Sequence, residues 1–323
     1  MELRTYFVQR VLQGIGTIFV ALTIDFYLFR ILPGDPAMMI ARDPRLNQKQ
    51  MELLRASFGL DKPVYEQYGI FLINTLKLNL GISFFYRVPV ADLLFERLSN
   101  TLYLIGLGTV FSMVIGLGLG MIAGWYRGKA PDNIAFGSAL LFYSMPSFWI
   151  SMVLIYALAV VFPIFPTGGM LNDRLINPSW SVASADSLYH LALPLITYSL
   201  VFAGAYALVM RTSVINILSE DYVVTARAKG MSDLDVFRRH VLKNAALPSV
   251  TLIAMNLGLI VLGAISVETV FNWPGVGLLV YQAIFFRDYP VLQGTFIFFT
   301  VFMVLANLIA DMLYSFLDPR VRY

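Results

Sequence analysis

The chain has no cysteine and only two histidines, His190 and His240. Thiolate chemistry is excluded, and a metal centre has too few nitrogen or sulfur ligands to rest on. There is no H-E-x-x-H motif and no G-x-x-x-x-G-K-[ST]. Gly128-Lys129-Ala130 lacks the upstream glycine and the hydroxyl that phosphate and magnesium require. An intramembrane protease needs a nucleophile beside a base, yet no serine is singled out as a partner for His190. Charge is scarce as well, at 13% of residues where soluble domains carry roughly 25%. The missing cysteines leave the redox compartment open.

What fills the chain instead is apolar, at 58% of residues. No ionised side chain occurs between Arg97 and Arg127, Asp132 and Asp173, Asp186 and Arg211, Lys243 and Glu268, or Asp288 and Asp311. Each interval holds the ~20 residues that a bilayer core of about 30 Å demands of a helix. Val11 to Phe29 supplies a sixth span, interrupted by Asp25. It is too long for a signal peptide and no small-residue cleavage site follows, so it reads as an uncleaved signal anchor. The expected fold is an all-α integral membrane protein with six transmembrane helices.

Positive charge in short loops resists translocation and so sets orientation. Arg4, Arg10, Arg127, Lys129, Arg320, Arg322 and the basic residues from Arg211 to Lys243 fall on one side, which places both termini in the cytoplasm. The segment from Pro33 to Ser99 carries eight basic residues on the other side. Segments beyond ~60 residues translocate largely regardless of charge. The net charge of +3 thus reflects topology and does not imply nucleic-acid binding.

The expected organisation is span one over 1–32, a small helical extracytoplasmic domain over 33–99, a five-helix core over 100–318 with a cytoplasmic loop at 211–246, and a tail at 319–323. Within the outer domain, Asn47 to Phe58 reads as a helix. A second helix follows Pro63 with Tyr65, Tyr68, Leu72 and Leu76 on one face, and a third stretch, Val90 to Leu98, leads into span two. Span two sets Gly108, Ser112, Gly116, Gly120 and Gly124 four residues apart, a face on which another helix can approach closely. Pro146 breaks the hydrogen-bond ladder of span three between Ser144 and Ser147. Freed backbone inside a membrane is tolerated only against protein or water. Ser144, Pro146, Ser147 and Asn256 are therefore candidate pathway residues, with an ordinary kink as the other reading. Asp25, Glu268 and Asp311, near span ends, are read as structural hydrogen-bonding groups.

The loop from Arg211 to Ala246 reads as two short helices. Asp221 opens the first, Arg227 and Lys229 close it in favourable sign to the helix dipole, and Gly230 ends it. Ser232 and Asp235 resemble a capping box for the second, with Leu234, Phe237 and Val241 as its apolar face. A helix of about nine residues is marginal alone in water. It needs a partner surface, either a lipid face or a groove in another protein.

Asp221-Tyr222-Val223-Val224-Thr225-Ala226-Arg227-Ala228-Lys229-Gly230, followed by His240-Val241-Leu242-Lys243-Asn244-Ala245, closely resembles the signature loop of binding-protein-dependent ABC importer permeases. Leu32 to Pro36, Phe58 to Pro63, Glu268 to Gly275, and Asn307 through Asp311 to Arg320 resemble the first permease subunit of the peptide and nickel group. The resemblance runs over nearly the whole chain. Val224 and Thr225 stand where the broad importer pattern has glutamate and alanine, a change this group tolerates.

The resemblance implies a type I importer transmembrane fold in a prokaryotic plasma membrane. The chain would form half of a pathway, with a homologous permease, two ATPase subunits carrying ATP and magnesium, and an extracytoplasmic binding protein. It would bind no cofactor itself. Asp221, Tyr222, Thr225, Ala226, Arg227, Ala228, Lys229, Gly230, Phe237 and His240 would form the ATPase-coupling loop. Peptides, oligosaccharides and nickel complexes are all cargo of this group. An ion-coupled carrier would show inverted repeats, and a membrane enzyme a convergent catalytic constellation. No convincing repeat or constellation is found.

Overall fold

A computed structural model describes residues 3–31, 62–172, 174–246 and 265–317. Among these residues regular structure is helical, and the one β feature is an isolated antiparallel bridge between Ile82 and Pro89. The helices are α1 (Leu3–Ile31), α2 (Val64–Leu76), α3 (Val90–Trp125), α4 (Ala130–Ser144), α5 (Ser147–Ile155, continued by a π turn to Val161), α6 (Trp180–Leu218), α7 (Asp221–Ala228), α8 (Asp233–Val236), α9 (Leu242–Ala245), α10 (Ile265–Val270), α11 (Val276–Phe286) and α12 (Tyr289–Leu317).

Among the described residues, four helices are long and apolar enough to cross a membrane: Phe7–Arg30, Val90–Trp125, Trp180–Leu218 and Tyr289–Ile309. Expected span three is not one helix. α4 and α5 meet at Pro146 with a bend of 102°, so they make a fifth span only if the bent pair is taken together. A proline kink within one helix is far smaller; here Met145 and Pro146 both take extended backbone angles and end the ladder outright. Most of the expected span between Lys243 and Glu268, with Asn256, lies outside the described residues, as do the helix expected at Asn47–Phe58 and the tail at 319–323.

The chain divides into two compact units. The first comprises Met1–Ser99 with Leu279–Met312 and Pro319–Tyr323, the second Asn100–Leu278 with Leu313–Asp318. In the first unit α1 and α12 run antiparallel. Arg10 pairs with Asp311 at 3.3 Å at one end, a Cβ on Gly14 would touch Val304, and the Phe29 ring lies 6.3 Å from that of Tyr289 at the other. The start of α1 and the end of α12 therefore lie at the same end of this unit. The inward face of α2 is Tyr68, Phe71 and Thr75, while Tyr65 and Leu76 are exposed. Tyr68 is positioned by a 2.7 Å hydrogen bond with Thr23 and an edge contact with Phe26, so polar and ring geometry displaces the simple apolar stripe. Asp288, ahead of α12, accepts from Ser83 Oγ at 2.5 Å and from the Phe84 and Phe85 amides, which fastens the turn before α3.

In the second unit the small-residue face of α3 does what its spacing predicts. A Cβ on Gly108 would strike Tyr198, and one on Gly116, Gly120 or Gly124 would strike Ala203, Ala207 or Val214, all on α6. The backbones approach too closely for side chains, which is how membrane helices gain packing where burial from water gives nothing.

Candidate coupling site

α7, α8 and α9 hang from the end of α6 and fold back on it. The first helix ends as its glycine dictates. Gly230 has φ +80°, its amide donates to the Arg227 carbonyl at 2.9 Å, and the Met231 amide donates to the Ala226 carbonyl at 3.3 Å. These two bonds define the Schellman motif, which needs the left-handed conformation at its glycine. Ser232 then caps the next helix: its hydroxyl accepts from the Asp235 amide at 3.2 Å and donates to the Asp235 carboxylate at 2.6 Å.

The run from Asp233 to Ala245 is continuous but contains a π turn from Phe237 to Val241. One extra residue per turn rotates the face by about 100°. Val236, Val241 and Ala245 are consequently the buried residues, and Leu234, expected on the apolar face, is exposed. A regular 3.6 period could not have anticipated this.

Val223 and Ala226 of α7 join Val236, Val241 and Ala245 in one cluster with Met210 and Val214 of α6. This is the foot of the hairpin. Trp125, at the end of α3, meets the Phe237 ring edge-on at 5.1 Å and lies 5.7 Å from the Arg227 guanidinium. Asn244 donates to Tyr222 Oη at 3.1 Å and to the His240 carbonyl at 2.8 Å. Of the expected loop residues, Ala226 is buried, Phe237 and His240 are half-buried, and Asp221, Tyr222, Thr225, Arg227, Ala228, Lys229 and Gly230 are exposed. The outward face thus carries Tyr222 and Val224 among hydroxyl and charged groups.

A carboxylate at the boundary of an apolar interval completes the junction. Asp132, 3% exposed in the first turn of α4, takes a fork from Arg211 of α6 at 2.8 and 2.9 Å and accepts from the Gly128 amide at 2.9 Å. Arg211 also lies 4.7 Å from the Phe136 ring centre. The ends of α3, α4 and α6 and the hairpin are therefore one mechanical block. The readable signal was a lone carboxylate just after a cationic loop.

Elsewhere in this unit Glu268 is fully buried and accepts from Thr101 Oγ1 at 2.7 Å and from the Gly277 and Leu278 amides at 2.7 and 3.1 Å. Thr101 Oγ1 in turn accepts from the Val276 amide, while Trp273 and Asn100 exchange bonds with backbone on either side. Gly275 leaves the space that the Glu268 carboxylate fills. His190, considered as a catalytic base, lies instead with Nδ1 2.9 Å from the Asp186 carbonyl. Ser144 and Pro146 are exposed at the break before α5, and Ser147 is half-buried.

A family profile described as the binding-protein-dependent transport system inner membrane component matches residues 116–323, and its N-terminal companion matches residues 3–105. The chain belongs to the binding-protein-dependent ABC importer permeases. Its fold is therefore that of a type I importer permease, placed in the inner membrane with several crossings. The glutathione transport system permease protein GsiC of Escherichia coli O6:H1 is 37% identical over 318 residues, 98% of this chain and 99% of that protein. GsiC of E. coli K12 and of Shigella dysenteriae serotype 1 are each 36% identical over the same share. The permease is thus a transport subunit of the peptide and nickel group, not an enzyme, and works with an ATPase and a substrate-binding protein.

Proposed function

We propose that the permease forms half of a peptide pathway with a homologous second permease, and that its Asp221–Ala245 hairpin seats in a groove of an ATPase subunit. Two such ATPases bind ATP and magnesium, and an extracytoplasmic protein delivers cargo. Both termini are cytoplasmic, in keeping with the clustered cationic loops. The observation that carries the reading is the hairpin itself: a foot buried on α6, with Tyr222 and Val224 left outward on helices too short to persist alone. When nucleotide draws the ATPases together, a block tied through Trp125 and Asp132 moves α3, α4 and α6 as a rigid body. The exposed break at Ser144 and Pro146 lines the path, since unpaired backbone at membrane depth needs a wet or protein-covered wall.

Tyr222→Asp combined with Val224→Lys changes two exposed side chains and, within the hairpin, removes the Asn244 bond to Tyr222 Oη. We expect roughly tenfold less ATPase subunit to co-purify, as for loss of an interface hot spot, with the permease still inserted. Undiminished co-purification would exclude the hairpin as the docking element.

The relatives are glutathione transport permeases, and their cargo supports the same class here, a short peptide of the glutathione kind. Calorimetric titration of the co-purified binding protein should show uptake of glutathione or dipeptides, and no heat from oligosaccharides or nickel complexes. Heat from either of the latter alone would reassign the cargo.

A further inference from the structure

In the first unit a cavity of about 200 Å³ opens between the C-terminal end of α1, the end of α2 and the first turns of α12. Arg30, Asn74, Asn79 and Gln293 give it a polar wall, and Phe26 and Tyr289 frame it. The Arg30 guanidinium lies 5.3 Å from the Phe26 ring centre, and no carboxylate is among the described lining residues. Two carboxylates lie near it in the fold, but neither lines it. Asp25 is buried with Gln293 as its polar neighbour, and Asp288 is engaged by Ser83, Phe84 and Phe85.

A second hollow of about 260 Å³ adjoins the first and shares Thr75, Leu80 and Ile297 with it. Its walls are almost wholly apolar, among them Leu94 and Phe95 of α3 and Phe298, Val301 and Leu305 of α12. From Ile297 to Leu305 the groove follows α12 for about 12 Å at 1.5 Å per residue.

Direction matters as much as composition. Arg30 closes the apolar segment of α1, with aromatic Phe29 and Tyr289 beside it, which is the level of the membrane interface. Because α12 is antiparallel to α1, passing from Tyr289 to Ile297 leads about 12 Å from that interface to near the bilayer centre, and Leu305 lies in the far half of the span. A cation and three amides stand at the interface, and an apolar channel runs inward from them.

We propose that this is a binding site for a phospholipid with an anionic headgroup, its phosphate on Arg30 and the amides, one acyl chain in the groove along α12. A soluble anion would satisfy the cavity and leave the groove without purpose. The proposal rests on the membrane reading of α1 and α12 and not on which side of the membrane this end faces.

The test is native mass spectrometry of the purified importer, stripped of loose lipid and offered phosphatidylglycerol or phosphatidylcholine. Wild-type permease should retain phosphatidylglycerol in preference to phosphatidylcholine. Arg30→Gln should lower that retention about tenfold through loss of the charge-assisted bond, and Arg30→Lys should largely keep it. Ala91→Phe, which fills the groove and leaves Arg30 in place, should lower it too. Equal retention by Arg30→Gln, or equal retention of phosphatidylcholine, overturns the proposal. So does displacement of the lipid by millimolar inorganic phosphate with Ala91→Phe binding normally, which marks a soluble-anion site. Recovery of the ATPase subunit with each variant verifies that the fold is intact.

Discussion

Arg211→Ala is expected to destabilise the permease by about 3 kcal/mol and to uncouple it from ATP hydrolysis. Asp132, 3% exposed with the guanidinium fork in place, would carry a charge no longer matched by it, and breaking a buried pair from one side costs about 3–5 kcal/mol. The lower figure applies because a quarter of the Arg211 side chain stays exposed. Asp132→Asn should cost less, since the amide oxygen still accepts from the Gly128 amide and the start of α4 favours an acceptor. Function separates this strut from mere packing. If the pair ties the hairpin to α4, both variants keep nucleotide hydrolysis in the assembled importer while uptake per ATP falls, and the exchange of Asp132 and Arg211 restores part of it. Wild-type uptake per ATP in Arg211→Ala would remove the pair from coupling.

Glu268→Ala should be the most damaging single change in the second unit. The carboxylate is fully buried and three donors converge on it, so its removal strands the Thr101 hydroxyl and the amides of Gly277 and Leu278. At about 1–3 kcal/mol for each unsatisfied group, partly relieved by local shifts, the loss is about 4 kcal/mol. A melting midpoint lowered by roughly 10 °C is the corresponding reading. Glu268→Gln keeps one acceptor oxygen and should fall between the two. Thr101→Val should also be milder, because it removes one donor to Glu268 and one acceptor for Val276. A thermal-shift series in detergent that ranks Glu268→Gln below Glu268→Ala would refute the network as drawn.

Several elements could be read without coordinates because their causes are local or periodic. Gly230 ends a helix since the Schellman bonds from Gly230 and Met231 require a positive φ, and a glycine after cationic residues announces that. Ser232 caps the next helix through a bond spanning three residues. The Gly108-to-Gly124 spacing foretold a close helix approach, although only the fold chose α6 as the partner.

Other elements were not legible, each for a physical reason. The π turn at Phe237 shifts the helical phase, so Val236 replaces Leu234 at the foot. A tertiary cluster selects that phase, and a linear pattern does not carry it. Pro146 predicted a break in the ladder, but the 102° bend depends on how both halves pack. Asp132 and Arg211 are 79 residues apart, and no local rule joins charges at that separation.

The sequence by itself determined a helical membrane protein, where its cationic loops fall along the chain and where its short loop helices start and stop, because hydropathy, charge placement and capping act over a few turns. Tertiary structure decided which face of that loop is foot and which is free, what Asp132 and Glu268 hold, and where Arg30 meets an apolar groove. Those outcomes depend on side chains far apart in sequence, brought together only when the helices pack.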